Sequence, residues 1–194
     1  NAFDEYDLIN FEKKIYNNLN EKIKFEYSVE PKIDGISASL TYKDGNLVLG
    51  MSRGDGYEGE VITENIKTIS EIPKKINSSD FPTQIEIRGE VYIKKNDFIK
   101  IKEKFANPRN AASGSLRQKN PEDTKKIPLN FIAYTFGFEK GLNVDNQFEY
   151  LSKLNEWGFK TNPLNRLISG IKNLIKNYNE IEKLRTNLDF DIDG

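Results

Sequence analysis

Lys32-Ile33-Asp34-Gly35-Ile36-Ser37-Ala38-Ser39-Leu40-Thr41-Tyr42-Lys43-Asp44-Gly45-Asn46-Leu47 is the stretch from which the fold is read. Ile36, Ala38, Leu40 and Tyr42 alternate with Ser37, Ser39, Thr41 and Lys43, the period-two pattern of a strand with one buried face. Asp44-Gly45 then signals a tight hairpin turn, and 46–53 reads as the return strand. Just upstream, Lys32 stands between a strand predicted at 24–30 and the glycine turn at Gly35, with Glu30 and Asp34 on either side. A lysine held in that way is a candidate covalent nucleophile, although most lysines are solvated surface charges.

Outward from this hairpin the pattern stays mixed. Leu8, Phe11, Ile15 and Leu19 recur at helical spacing and predict a helix over 4–19. Gly54-Asp55-Gly56-Tyr57-Glu58-Gly59 reads as a flexible loop leading to a short helix near 61–69, and Pro73 and Pro82 bracket a connector. Residues 84–93 form the clearest strand, with Ile85, Ile87, Val91 and Ile93 on one face and Glu86, Arg88, Glu90 and Tyr92 on the other. A helix is expected from Asn96, as N-cap, to Phe105, ended by Asn107-Pro108, because the residue before proline is pushed out of the helical region. The expectation continues with a short helix at 109–118, a strand at 129–138, a helix at 146–157 stopped by Gly158, a long helix at 169–187 with Ser169 as cap, and a strand at 188–192. Helices and antiparallel hairpins without βαβ alternation give an α+β fold.

The 194 residues suit one domain, or one and a small appendage. A hydrophobic fraction of 37% beside 30% charged residues supports a core under a highly charged surface. The formal net charge of −1 gives no overall nucleic-acid footprint. Residues 94–126, however, hold ten lysines and arginines against four acids. That segment is either a solvated helix face or a phosphate-facing patch. Histidine and cysteine are both absent, which excludes disulfides, Ser-His and Cys-His triads and the usual zinc sites. Acid–base and nucleophilic work would fall to Lys, Asp, Glu, Tyr or Arg. With no apolar run of membrane-spanning length and no signal peptide, no membrane role and a cytoplasmic location are expected.

Four segments carry polar groups that a plain fold does not require: Glu30, Lys32 and Asp34; Arg53 with its glycine loop; Glu90; and Asn107 to Gln118. Each is weak alone, since Glu90 reads equally as a solvent-facing carboxylate and Arg53 as a surface ion pair. The glycine loop lacks the Gly-Lys-Ser/Thr ending of a P-loop. Taken in order, Lys-x-Asp-Gly, Arg-Gly-Asp-Gly, Glu-x-Arg-Gly-Glu-Val-Tyr and Asn-Pro-Arg-Asn-Ala-Ala-x-Gly-Ser-Leu-Arg-Gln resemble the adenylation domain of bacterial NAD+-dependent DNA ligases across essentially the whole chain. Lys-x-Asp-Gly is shared with ATP-dependent ligases, RNA ligases and capping enzymes; the Arg109–Gln118 stretch points to the NAD+ branch.

The resemblance implies a nucleotidyltransferase (ATP-grasp-like) core of antiparallel sheets with flanking helices, and a role for each matching residue. Lys32 would be adenylated, Glu30 would meet the adenine amino group, Tyr134 would stack on adenine, and Glu90 would accept from the ribose hydroxyls. Arg53 would contact the nucleotide, and Arg109 and Arg117 would meet phosphate of the adenylate or of the nicked strand. Arg185 and Asp193 match a late pair at the nucleotide site, and Glu60 a nearby acid. On the chemistry alone, the carboxylates Asp34 and Glu30 beside the lysine make sense mainly if they bind Mg2+, orient substrate or take a proton. NAD+ would serve as AMP donor, Mg2+ as the metal, and nicked double-stranded DNA as the partner of a monomeric enzyme. The chemistry suits these residue types: an unperturbed lysine is neutral roughly once in 10³ at neutral pH, a deficit of about 4 kcal/mol that burial or nearby positive charge reduces.

The resemblance further implies that both ends are cuts within a longer protein. The N-terminal subdomain for nicotinamide mononucleotide, a lysine after Asp193-Gly194, the OB-fold, the zinc finger, the helix-hairpin-helix and the BRCT regions would lie outside 1–194. Weak adenylation by this stretch alone is therefore expected. An ATP-dependent nucleotidyltransferase and a non-catalytic adenosine- or DNA-binding module are the alternatives.

Overall fold

The computed structural model describes residue 2 and residues 4–19, 24–54 and 59–194. The loop expected from Gly54 to Gly59 therefore falls partly, at 55–58, outside the described residues. The chain divides into two compact units, residues 1–31 with 164–187, and residues 32–163 with 188–194.

The larger unit is built on a four-stranded antiparallel sheet of order β3-β2-β4-β5. Its strands are β2 (Ile36–Lys43), β3 (Asn46–Ser52), β4 (Gln84–Ile93) and β5 (Leu129–Lys140). The hairpin turns as its sequence predicts, with Asp44 at φ 47° and Gly45 at φ 74°. In β4, Ile85, Ile87 and Val91 are fully buried and Ile93 nearly so. These residues join Leu40, Tyr42, Phe131, Tyr150, Leu154, Trp157 and Phe159 in one core. Burying each such side chain contributes about 1.5–3 kcal/mol, which is what commits this face of the sheet inward. The opposite face of β4 keeps Glu86, Arg88 and Glu90.

Helices close over the apolar side. The short α2 (Thr63–Ile66) buries Ile66, and α4 (Pro108–Leu116) buries Ala111, Ala112 and Leu116. The one-turn α3 (Lys95–Phe98) and α5 (Pro121–Lys125) precede and follow α4, and α6 (Gln147–Glu156) buries Tyr150, Leu151 and Leu154. Asn146 caps α6 by accepting from the Glu149 N–H at 2.9 Å, and Gly158 at φ 93° follows its end.

The smaller unit pairs α1 (Glu5–Leu19) and α7 (Ile171–Leu184) with a two-stranded antiparallel sheet of β1 (Glu26–Val29) and β6 (Arg166–Ser169). Tyr27 donates to Glu12 Oε1 at 2.8 Å, fixing the strand to α1.

Several local expectations are corrected. The helix expected over 96–105 breaks into α3 and a 3-10 turn at Lys102–Lys104, and its cap is Lys94, not Asn96. Pro108 does not merely end a helix: it opens α4 at the first turn, where its missing N–H costs nothing. The expected helix at 61–69 is only one turn long. Ser169 ends β6, a strand the sequence did not signal, and Gly170 at φ 78° starts α7. Residues 188–192 form no regular strand; Ile192 makes a single bridge to Ile33.

Candidate functional site

Ile33 and Ile192 are each 6% exposed, and Ile33 packs with Tyr92, Ile132 and Phe190 beneath the Lys32 turn. Alternation along an extended segment then sends Lys32 and Asp34 to the side opposite Ile33. Backbone bonds lock the segment against residues 191–194. Lys32 N donates to Gly194 O at 2.7 Å, Asp193 N to Lys32 O at 3.0 Å, and Asp34 N to Asp191 O at 2.8 Å. This register sets Asp193 beside Lys32, whose Nζ lies 2.5 Å from Oδ1 and 2.6 Å from Oδ2.

Arg109, in the first turn of α4, donates from Nη1 to Asp34 Oδ1 at 2.6 Å. A cation in a helix's first turn opposes the helix dipole, so Arg109 is not there for helix stability. The Asp34 hydrogen bond is the largest influence holding the Arg109 pKa above its usual value, with the charges of Asp34, Glu90 and Asp193 acting the same way. Asn107 accepts from the Asn110 N–H at 2.7 Å and so fixes the helix start that carries Arg109.

Glu90 is 9% exposed. Burial pushes its pKa up, while a bond from Ser37, the charges of Arg109 and Lys32, and the Gly35 N–H pull it back. Ser37 Oγ donates to Glu90 Oε2 at 2.9 Å. Gly35 is required here: a Cβ would strike the Val91 carbonyl and come within 2.9 Å of Glu90 Cγ. Lys32, Asp34, Glu90, Arg109 and Asp193 thus form one electrostatic cluster within the larger unit.

A cleft of about 530 Å³, lined by residues that include Ser37, Arg53, Glu86, Arg88, Tyr134 and Thr135, opens on the polar side of the sheet. That size lies within the usual range for small-molecule pockets. Tyr134 donates to Ser37 Oγ at 3.4 Å, and its own carbonyl accepts from Gln147 Nε2 at 2.6 Å. Arg88 and Glu86 pair at 2.6 Å within the cleft.

Arg117 lies 2.9 Å from Glu60. Its neighbours Ser115 and Gln118 are held by a latch that the sequence did not announce. Asn65 Nδ2 donates to Gln118 O at 2.9 Å and to Thr124 Oγ1 at 2.7 Å, and Thr124 donates to Ser115 O at 2.8 Å. Glu30 and Arg185 belong to the smaller unit. There Glu30 accepts from Ser28 Oγ at 2.9 Å, and Arg185 is exposed at the end of α7. Ser37, Glu86 and Arg88 were not singled out from the sequence, though the alternation places the first on the polar face of β2 and the other two on the Glu90 face of β4.

Among the described residues, no three ligating groups converge to hold a metal ion, and Asp34 and Asp193 already face cations. These residues do not make a Mg2+ cage; Mg2+ at such a site would ride mainly on substrate phosphates. Among the described residues, no helix is long and apolar enough to cross a membrane.

Residues 1–194 match the family described as NAD-dependent DNA ligase adenylation domain. The chain is 63% identical over 196 residues to the DNA ligase of Pelagibacter ubique (strain HTCC1062), covering 100% of this chain and 29% of that protein. It is 43% identical over 202 residues to the DNA ligase of Phenylobacterium zucineum (strain HLK1) and 44% over 204 residues to that of Parvibaculum lavamentivorans, again covering 100% of this chain and 29% of each. The chain therefore spans less than a third of the length of the curated relatives it matches. With a match over all 194 residues and relatives of this identity, the chain belongs to the NAD-dependent DNA ligase adenylation domain family.

Proposed function

We propose that residues 1–194 are an adenylation domain in which Lys32 attacks the α-phosphorus of NAD+. The Nζ–P bond forms, the P–O bond to nicotinamide mononucleotide breaks, and the leaving phosphate takes the electron pair. Lys32 becomes lysyl-AMP. Asp193 is the nearest acceptor for the proton that the amine must lose before or during attack. The observation that carries this reading is the convergence of Lys32, Asp34, Glu90, Arg109 and Asp193 in a chain of this family.

Glu90 accepts from the ribose hydroxyls, Tyr134 stacks on adenine, and Arg53 contacts the nucleotide. Arg109 and Arg117 neutralise phosphate charge, the main catalytic requirement of nucleotidyl transfer. AMP then passes to the 5′-phosphate of a nick in duplex DNA, and the 3′-hydroxyl displaces it. The basic 94–126 segment is the proposed DNA contact, and its contribution to affinity falls steeply with salt.

Intact-mass measurement after incubation with NAD+ or ATP tests the reading. A slow, partial gain of one AMP from NAD+ and none from ATP is expected, and Lys32→Ala removes the gain. An adduct that survives Lys32→Ala sinks the nucleophile assignment, and one formed only from ATP sinks the donor.

A further inference from the structure

We infer that the Ser37 hydroxyl is a positioning group for nucleotide binding, holding the Glu90 carboxylate and the Tyr134 ring in one fixed relation. The inference rests on the proposed roles of Glu90 at ribose and Tyr134 at adenine. Ser37 and Glu90 are direct cross-strand partners of β2 and β4. The Ser37 hydroxyl donates to Glu90 Oε2 at 2.9 Å and receives the Tyr134 hydroxyl from β5 at 3.4 Å. One oxygen therefore ties three neighbouring strands on the polar side of the sheet, and Ser37 and Tyr134 both line the cleft that also contains Arg53.

The chemistry gives that tie a purpose. An ionised carboxylate has about four acceptor positions. Ser37 occupies one, leaving others for ribose hydroxyls. A ring and a carboxylate that read two parts of one nucleoside bind it best when neither has to be ordered on binding. A hydroxyl that only satisfied a buried acid would affect stability alone, so affinity for nucleotide separates the two readings.

The test compares wild type with Ser37→Ala, Ser37→Thr, Tyr134→Phe and Lys32→Ala, using AMP binding at equilibrium and lysyl-AMP formation across NAD+ concentrations. Ser37→Ala is expected to weaken AMP about tenfold, the loss of one hydrogen bond to a charged group. It should raise the half-saturating NAD+ concentration similarly and leave the saturating rate within about twofold. Ser37→Thr keeps the hydroxyl and stays near wild type. Tyr134→Phe removes the other arm, and its effect combines less than additively with Ser37→Ala. Unchanged AMP affinity in Ser37→Ala, an equal loss in Ser37→Thr, strict additivity, or a loss confined to the saturating rate overturns the inference. Failure of wild type to bind AMP, or an adduct on Lys32→Ala, overturns instead the functional reading beneath it.

Discussion

Asp193 holds the Lys32 ammonium with both carboxylate oxygens, at 2.5 and 2.6 Å, from 161 positions away in the chain. Lys32 is 66% and Asp193 41% exposed, so solvent screens the pair and it adds little to stability. Its consequence is orientation: the nitrogen proposed to attack phosphorus is held at one place, beside a group that can take its proton.

Asp193→Asn is expected to slow lysyl-AMP formation about 10²-fold, the lower end of what a positioned proton acceptor contributes. AMP affinity should change little, and so should thermal stability. Single-turnover mass spectrometry against NAD+ measures the first, and AMP titration and a melt the others. A variant that adenylates at the wild-type rate removes Asp193 from the chemistry.

Arg109→Ala takes away a cation that counters the burial of Glu90. The Glu90 pKa then rises further. If ionised Glu90 binds ribose, AMP affinity in the variant should collapse at a higher pH on acidification than in wild type. Arg109→Lys, which keeps the charge but not the planar fork, falls between the two. AMP titrations across pH measure the midpoints; coincident midpoints for all three proteins contradict the prediction.

Glu90→Gln trades binding for stability. Because the folded-state pKa of Glu90 is raised above its unfolded value, the native state holds the proton more tightly, and ionisation of Glu90 costs stability as pH rises through that interval. Near neutral pH the neutral glutamine should therefore melt higher than wild type. Below about pH 4, where the acid is protonated in both states, the advantage should vanish. Melting curves from about pH 3 to about pH 8 check the sign: a variant that is less stable at neutral pH and equal in acid would contradict it.

Gly35→Ala should destabilise the fold by about 2–3 kcal/mol, in the range of overpacking. The added methyl meets the Val91 carbonyl, which belongs to the sheet and cannot swing away, and Glu90 Cγ. Urea unfolding measures the loss, and adenylation should fall with it because the same contact sets Glu90. A change under 0.5 kcal/mol would show that the turn relaxes.

Strand pattern was the most legible part of the fold. The alternations in β2 and β4 and the Asp44-Gly45 turn are period-two and nearest-neighbour signals, and the structure follows them closely. Short elements were read less well. Asn96 looked like a cap, yet the chain around it is fixed from afar: Lys95 N donates to Asp189 O at 2.8 Å and Asn96 N to Asp189 Oδ1 at 3.2 Å. β6 carries only four residues, too few for a periodic signal, and exists through its pairing with β1. The Asn65–Thr124 latch was invisible because two uncharged side chains 59 positions apart carry no joint pattern.

By itself the sequence determined the α+β class, the alternating faces, the exclusion of histidine and cysteine chemistry, and the motif residues that carry the resemblance. All of these are local: a residue's type, its neighbours and its period fix them. Only the tertiary structure decided that Asp193 lies on Lys32, that Arg109 takes Asp34, and that Ser37 stands between Glu90 and Tyr134. Those relations follow from strand register and from burying Ile33 and Ile192 on the side away from Lys32, and register is set by packing across the chain, not by any segment within it.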